Sequence, residues 1–151
     1  MFLRYYVDVP LAFGTVERRL LASPERWVPG LADDVQARTD TLLAEVGFGS
    51  NGHRVGKLVM IELRDPLRFP SRTLVPMTWR PTGAEAIFPT LDADLEVATL
   101  GTDRTQVSLS ARYRPPLGVL GHVVDRALLH RVAEATIKDF VDRVARSLLL
   151  R

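Results

Sequence analysis

Apolar and polar residues alternate along Phe2–Val9 (FLRYYVDV), with Leu3, Tyr5, Val7 and Val9 on one face, which predicts a strand that Pro10 ends. A helical region is predicted next. Ser23-Pro24-Glu25 reads as an N-cap, a first-turn proline and an acidic residue, and Pro29-Gly30 breaks the pattern. From Leu31 to Val46 it resumes, with Leu31, Val35, Leu42 and Val46 at helical spacing and Gly47 as a C-cap. Four stretches with strand character follow the predicted loop GFGSNG: Val55–Leu63, Arg72–Arg80, Leu91–Leu100 and Thr105–Tyr113. Pro76, inside the second of these, predicts an edge strand or a bulge.

The last two strands can be set in register by the pattern alone. Leu91, Ala93, Leu95, Val97 and Thr99 alternate with Asp92, Asp94 and Glu96, while Val107, Leu109, Ala111 and Tyr113 alternate with polar residues. A one-residue slip would turn every side chain to the wrong face, so Val97 must face Val107 and Leu95 must face Leu109. This register also sets Asp92 opposite Arg112 on the outer face, around a turn at Gly101-Thr102-Asp103.

After Pro115-Pro116 the chain carries no further proline, and the pattern from Leu117 to Leu150 predicts one long helix, roughly 45–50 Å at ~1.5 Å per residue. Its apolar stripe moves from Leu117, Leu120, Val124 and Leu128 to Ile137, Phe140, Val144 and Leu148, about 150° around the axis at ~100° per residue. Either the helix bends near Ala133–Thr136 or its halves face different neighbours. The element order, with strands joined by short turns, predicts an α+β fold with an antiparallel sheet. Five strands at ~4.8 Å make a sheet some 20–25 Å wide, and one helix is only ~10–12 Å across. The sheet must therefore curl around the helix, and such a shell can enclose an apolar cavity.

Composition narrows the function classes. The length of 151 residues fits one domain, 1–151, and 46% hydrophobic with 25% charged residues is ordinary globular usage. Without cysteine there is no disulfide, thiolate metal site or cysteine nucleophile. Arg4 and Asp8 interrupt any signal-peptide core, and no segment approaches the ~20 apolar residues of a membrane span, so a soluble cytoplasmic protein is expected. The net charge is +2 and the arginines are scattered, which disfavours nucleic acid as a partner.

The stretch YRPPLGVLG followed by DRALLHRVAEATIKDF resembles the C-terminal part of actinobacterial members of the START/SRPBCC (Bet v 1-like) superfamily. VPMTWRPTG and IFPTLDADLEVATLG are similar to the preceding strands of the same group. The resemblance covers roughly the C-terminal half. It implies a helix-grip fold, a sheet wrapped around the C-terminal helix with a deep cavity between. Members bind lipids, sterols, polyketides or plant hormones, and some are aromatase/cyclases or dehydratases. No residue set here maps onto the catalytic groups of those enzymes.

The remaining motifs have bland readings. GFGSNG matches G-x-G-x-x-G, but a dinucleotide site needs a strand before it and a helix after it, and here the predicted order is reversed. GHRVGKL is one residue short of a P-loop and lacks its Ser/Thr. Asp92, Asp94 and Glu96 fall on an outer face at steps too long to chelate one cation. His122, Arg126 and His130 share one side of the helix, but the histidines are about 12 Å apart, so they form a solvated face or a polar lip at a cavity mouth, not a metal site. No metal or cofactor is called for.

The expected function is binding of a small hydrophobic or amphipathic ligand between sheet and helix. Its lining would be Val75, Met77 and Trp79 from one strand, Leu95, Val97, Val107, Leu109 and Tyr113 from the last two, and Val124, Leu128 and Phe140 from the helix. Tyr5, Trp79 and Tyr113 point inward, and Tyr113 is the preferred polar anchor. The alternative is a polyketide cyclase/dehydratase-like enzyme using the same cavity. Tyr113 would then be its lone titratable group, because the inward faces of the last two strands carry no Asp, Glu or His. A third reading, an interaction module, would require a large exposed apolar patch.

Overall fold

The computed structural model describes residues 1–22, 24–27, 41–50, 53–81, 90–114 and 126–150. Strand β1 (Phe2–Val9) is followed by helix α1 (Phe13–Ala22) and a short 3₁₀ turn (Pro24–Arg26). Then come β2 (Thr41–Ser50), β3 (His53–Leu63), β4 (Leu67–Phe69), β5 (Arg72–Pro81), β6 (Thr90–Thr99), β7 (Thr105–Arg114) and helix α2 (Arg126–Leu149). All pairings are antiparallel, in one seven-stranded sheet of order β1-β7-β6-β5-β3-β2, with β4 joined to β5 alone.

The β6–β7 register follows the sequence pattern: Val97 pairs with Val107, Leu95 with Leu109 and Asp92 with Arg112. The connection turns at Gly101, whose φ of 143° is open to glycine, and Leu100 N–H donates to Arg104 O at 2.9 Å.

Three expectations are corrected. The helix start foreseen at Ser23-Pro24-Glu25 is only the 3₁₀ turn; the helix lies earlier, over Phe13–Ala22, and buries Val16 and Leu20, one turn apart on the same face. The C-terminal part of the foreseen Leu31–Val46 helix is strand, since Thr41–Ser50 pairs along its length with His53–Glu62, and residues 31–40 lie outside the described residues. Gly47–Ser50 of the supposed loop therefore belongs to β2. Pro76 is not on an edge strand. β5 lies between β6 and β3, but β3 leaves it at Leu63 opposite Met77 and β4 joins at Leu67 opposite Leu74. Pro76 faces that gap, where its missing N–H breaks no ladder bond and its carbonyl accepts from Arg64 N–H at 2.9 Å.

The helix grips as the width argument requires. Helix α2 packs against both β1 and β2, the two ends of the strand order, as well as against β7. In a flat sheet those ends would lie about 24 Å apart, at five steps of ~4.8 Å, twice the breadth of a helix. Contact with both means that the sheet is curved around α2. The 24 residues of α2 give it a length of about 36 Å. Residues 115–125, which include the front of the foreseen helix from 117 on, lie outside the described residues. Ile137, Phe140, Val144 and Leu148 are buried as the pattern predicts, joined by Val132, Ala133, Val141 and Ala145.

Two polar struts tie the layers. Tyr5 of β1 donates to Asp142 of α2 at 3.1 Å, and Lys138 pairs with the other oxygen of that carboxylate at 2.7 Å. Glu17 of α1 accepts from buried Thr73 at 2.6 Å and from Arg68 Nε and Nη2 at 3.0 and 3.3 Å. These bonds, led by that from Arg68, hold the Glu17 carboxyl below the ordinary glutamate range.

Candidate functional site

The inward faces of β1, β3, β5, β6 and β7 supply one apolar core with α1 and α2. Strand alternation fixes which side chains enter it. Of the foreseen lining residues, Val75, Met77, Trp79, Leu95, Val97, Val107, Leu109, Tyr113 and Phe140 all lie in this core, none more than 4% exposed. Trp79 of β5 meets Phe140 of α2 edge-on, with ring centroids 5.2 Å apart and planes at 75°. Val124 lies outside the described residues, as does the side chain of Leu128.

At the end of β7 the core has a polar corner. Tyr113 Oη donates to Met1 Sδ at 2.7 Å, and His130 Nδ1 lies 2.8 Å from the same sulfur. The Tyr113 and His130 rings are 6.3 Å apart. Burial pushes the Tyr113 phenol above its ordinary pKa, so it is a hydrogen-bond donor at neutral pH and a poor base. β6 and β7 contain no histidine, and α2 brings one, His130, to the phenol. His122 lies outside the described residues; His130 sits partly exposed at this corner.

Two clefts open where the short helical elements meet the rest. One, of about 600 Å³, lies between α1, the 3₁₀ turn and the β3–β4 connection, with Leu20, Leu21, Trp27, Leu63 and Val75 among its walls. Through Leu63 and Val75 it reaches the inner face of the sheet. The other, of about 700 Å³, lies between α1 and the C-terminal end of α2. Trp27 separates them, its indole N–H held by Leu20 O at 2.8 Å.

These features can be set beside known proteins. No family model matches the sequence, and no curated protein matches it. Solved structures do match in shape. An aromatase/cyclase from a Streptomyces species superposes with a TM-score of 0.61 at 15% identity, over 99% of this chain and 93% of its own. A START superfamily protein from Mycobacterium smegmatis gives 0.55 at 14%, over 97% and 93%. A human lipid transfer and protein localization domain gives 0.53 at 11%, over 97% and 76%.

The fold is START/SRPBCC-like.

Within this START/SRPBCC-like fold the outer sheet face is occupied by ion pairs. Arg114 meets Asp92 at 3.0 Å, and Arg4 and Arg72 approach Glu96 at 3.9 and 3.7 Å. No group of His, Asp or Glu suited to a metal ion occurs among the described residues, and no helix among them is long and apolar enough to cross a membrane.

Sequence reasoning overlooked Trp27, Met1 and the pairing of His130 with Tyr113. Trp27 could have been flagged as a large apolar residue just after a proline turn. The Met1–Tyr113–His130 corner joins Met1 to two residues more than a hundred positions away, and no local pattern carries it.

Proposed function

We propose that this chain binds a small hydrophobic or amphipathic molecule between the inner face of the sheet and α2, as a carrier, store or sensor. The observation that carries this reading is the contact of α2 with both end strands. It turns the apolar inner face into the wall of an enclosure instead of one side of a flat layer. The proposed lining is Val75, Met77, Trp79, Leu95, Val97, Val107, Leu109 and Tyr113 from the sheet, with Phe140 from the helical side. Leu20, Leu21, Leu63 and Val75, beside Glu62, Arg64 and Asp65, line an approach to that face from the β3–β4 side. Tyr113, a buried donor, supplies orientation, and the ligand is selected by shape. The likeness to a lipid transfer domain and to an aromatase/cyclase supports a ligand-holding use of the fold. Native mass spectrometry of protein purified from its own host should show a co-purifying apolar molecule. Protein that emerges empty and takes up no apolar probe overturns the reading.

A second reading, a cyclase/dehydratase-like enzyme, draws on one observation. A phenol and an imidazole converge on a single atom, the Met1 sulfur, at 2.7 and 2.8 Å. If a substrate oxygen took that position, Tyr113 would donate to it and His130 would accept or supply a proton. Tyr113→Phe should then abolish turnover; unchanged turnover removes this reading.

A further inference from the structure

The cleft between α1 and the end of α2 has a composition unlike the interior. Arg18 and Arg19 of α1 and Arg26 of the 3₁₀ turn stand around it, and no Asp or Glu is among its described walls. Its floor is apolar: Trp27 and Leu148 are 2% and 1% exposed. The arginines are not equivalent. Arg19 Nη1 donates to Leu148 O at 2.6 Å and Leu149 O at 3.4 Å, covering the negative end of the α2 dipole that would otherwise repel an anion. Arg18 makes only a 3.4 Å bond to Thr15, and Arg26 has no side-chain partner among the described residues. The neighbouring acid on α1, Glu17, is held away by Arg68 and Thr73 and does not neutralise them.

Two guanidinium groups with no acidic partner among the described residues stand beside a buried indole around a space of about 700 Å³, and they match one kind of ligand. We propose that this cleft is a second binding site, for a small organic anion: a carboxylate or phosphate monoester carrying a short apolar body. The anionic group would take the planar donor forks of Arg18 and Arg26, which suit carboxylate and phosphate oxygens. The apolar body would lie against Ala22 and Leu150, the exposed apolar walls, above the buried Trp27 and Leu148. The site is separate from the interior proposed above and does not depend on it.

The chain has two tryptophans, and they divide between the sites: Trp27 in the cleft, Trp79 in the interior against Phe140. Their indole N–H resonances in a ¹⁵N-labelled sample, assigned with Trp27→Phe and Trp79→Phe, report the two separately. Titration with octanoate or octyl phosphate should shift the Trp27 resonance saturably, and octanol should not. The Arg18→Gln/Arg26→Gln double variant should bind at least about tenfold more weakly, since two charge-assisted contacts at exposed groups are lost. An unmoved Trp79 resonance in that variant, before ligand, verifies that the fold is intact. A Trp27 resonance that stays still, that responds equally to octanol, or that responds equally in the double variant overturns the proposal. Inorganic phosphate binding as tightly as octyl phosphate overturns the assignment to an organic anion. Failure of the interior reading would be seen at Trp79 instead.

Discussion

Replacing Phe140 by alanine should measure how tightly the sheet holds α2. The ring is wholly buried and meets Trp79 of β5 edge-on at 5.2 Å, so it spans the space between helix and sheet. Core Phe→Ala changes cost about 3–5 kcal/mol, of which the aromatic pair contributes ~0.5–1.5. For a chain of this length each kcal/mol moves the midpoint by about 2–4 °C, so Phe140→Ala should lower Tm by roughly 6–20 °C. Circular dichroism melts of wild type and variant give the number. Phe69→Ala is the control: that ring is 45% exposed over the Arg72 guanidinium, and its loss should cost about 0.5–1 kcal/mol. The void left by Phe140 is apolar, and such voids stay dry and accept benzene. Benzene should therefore raise the Tm of the variant by more than it raises that of the wild type. A Tm change below about 2 °C, or equal effects at Phe69 and Phe140, would refute the claim that this ring joins helix to sheet.

Glu17→Ala should cost about 1–3 kcal/mol by leaving the buried Thr73 hydroxyl without its acceptor, read by urea denaturation. Because the folded-state pKa of Glu17 is lowered, its contribution is present in full above the ordinary glutamate range and is lost as pH falls through the lowered value. The stability gap between wild type and Glu17→Gln should accordingly close in acid; a gap that widens there contradicts the assignment. Gly101→Ala should destabilise by about 1–3 kcal/mol from backbone strain alone, since φ is 143° and an added Cβ meets nothing within 4 Å. A neutral result in the same denaturation assay would show that the β6–β7 turn relaxes. Tyr5→Phe should cost about 1 kcal/mol through the lost bond to Asp142 and leave the fold unchanged by circular dichroism.

Much of the architecture can be read from alternation, because alternation is what a sheet with one buried face imposes. β6 and β7 are the clearest case: their polar residues form an unbroken outer row, so only one register buries Leu95, Val97, Val107 and Leu109 together. β2 was misread for a specific reason. Leu42 and Val46 are four apart, which satisfies a helix, but Leu42, Ala44, Val46 and Phe48 also alternate, and the two glycines of VGFG oppose a helix. Asn51-Gly52 follows, a dipeptide favoured in two-residue hairpins, and the last pair of β2–β3, Ser50 with His53, flanks it. Long-range polar chemistry left no such trace. Nothing local in the sequence links Glu17 to Thr73, Tyr113 to His130, or Arg19 to the end of α2, since each meeting depends on how separate elements pack together.

The curl of the sheet, and the apolar enclosure proposed within it, are most directly tested with a neutral probe. Methyl-labelled protein saturated with octanol should give intermolecular NOEs from the probe to Leu95, Val97, Val107 and Leu109, residues with no contact to bulk water. NOEs confined to exposed apolar side chains such as Leu67, Leu149 and Leu150, with none to the inner face, would contradict the account.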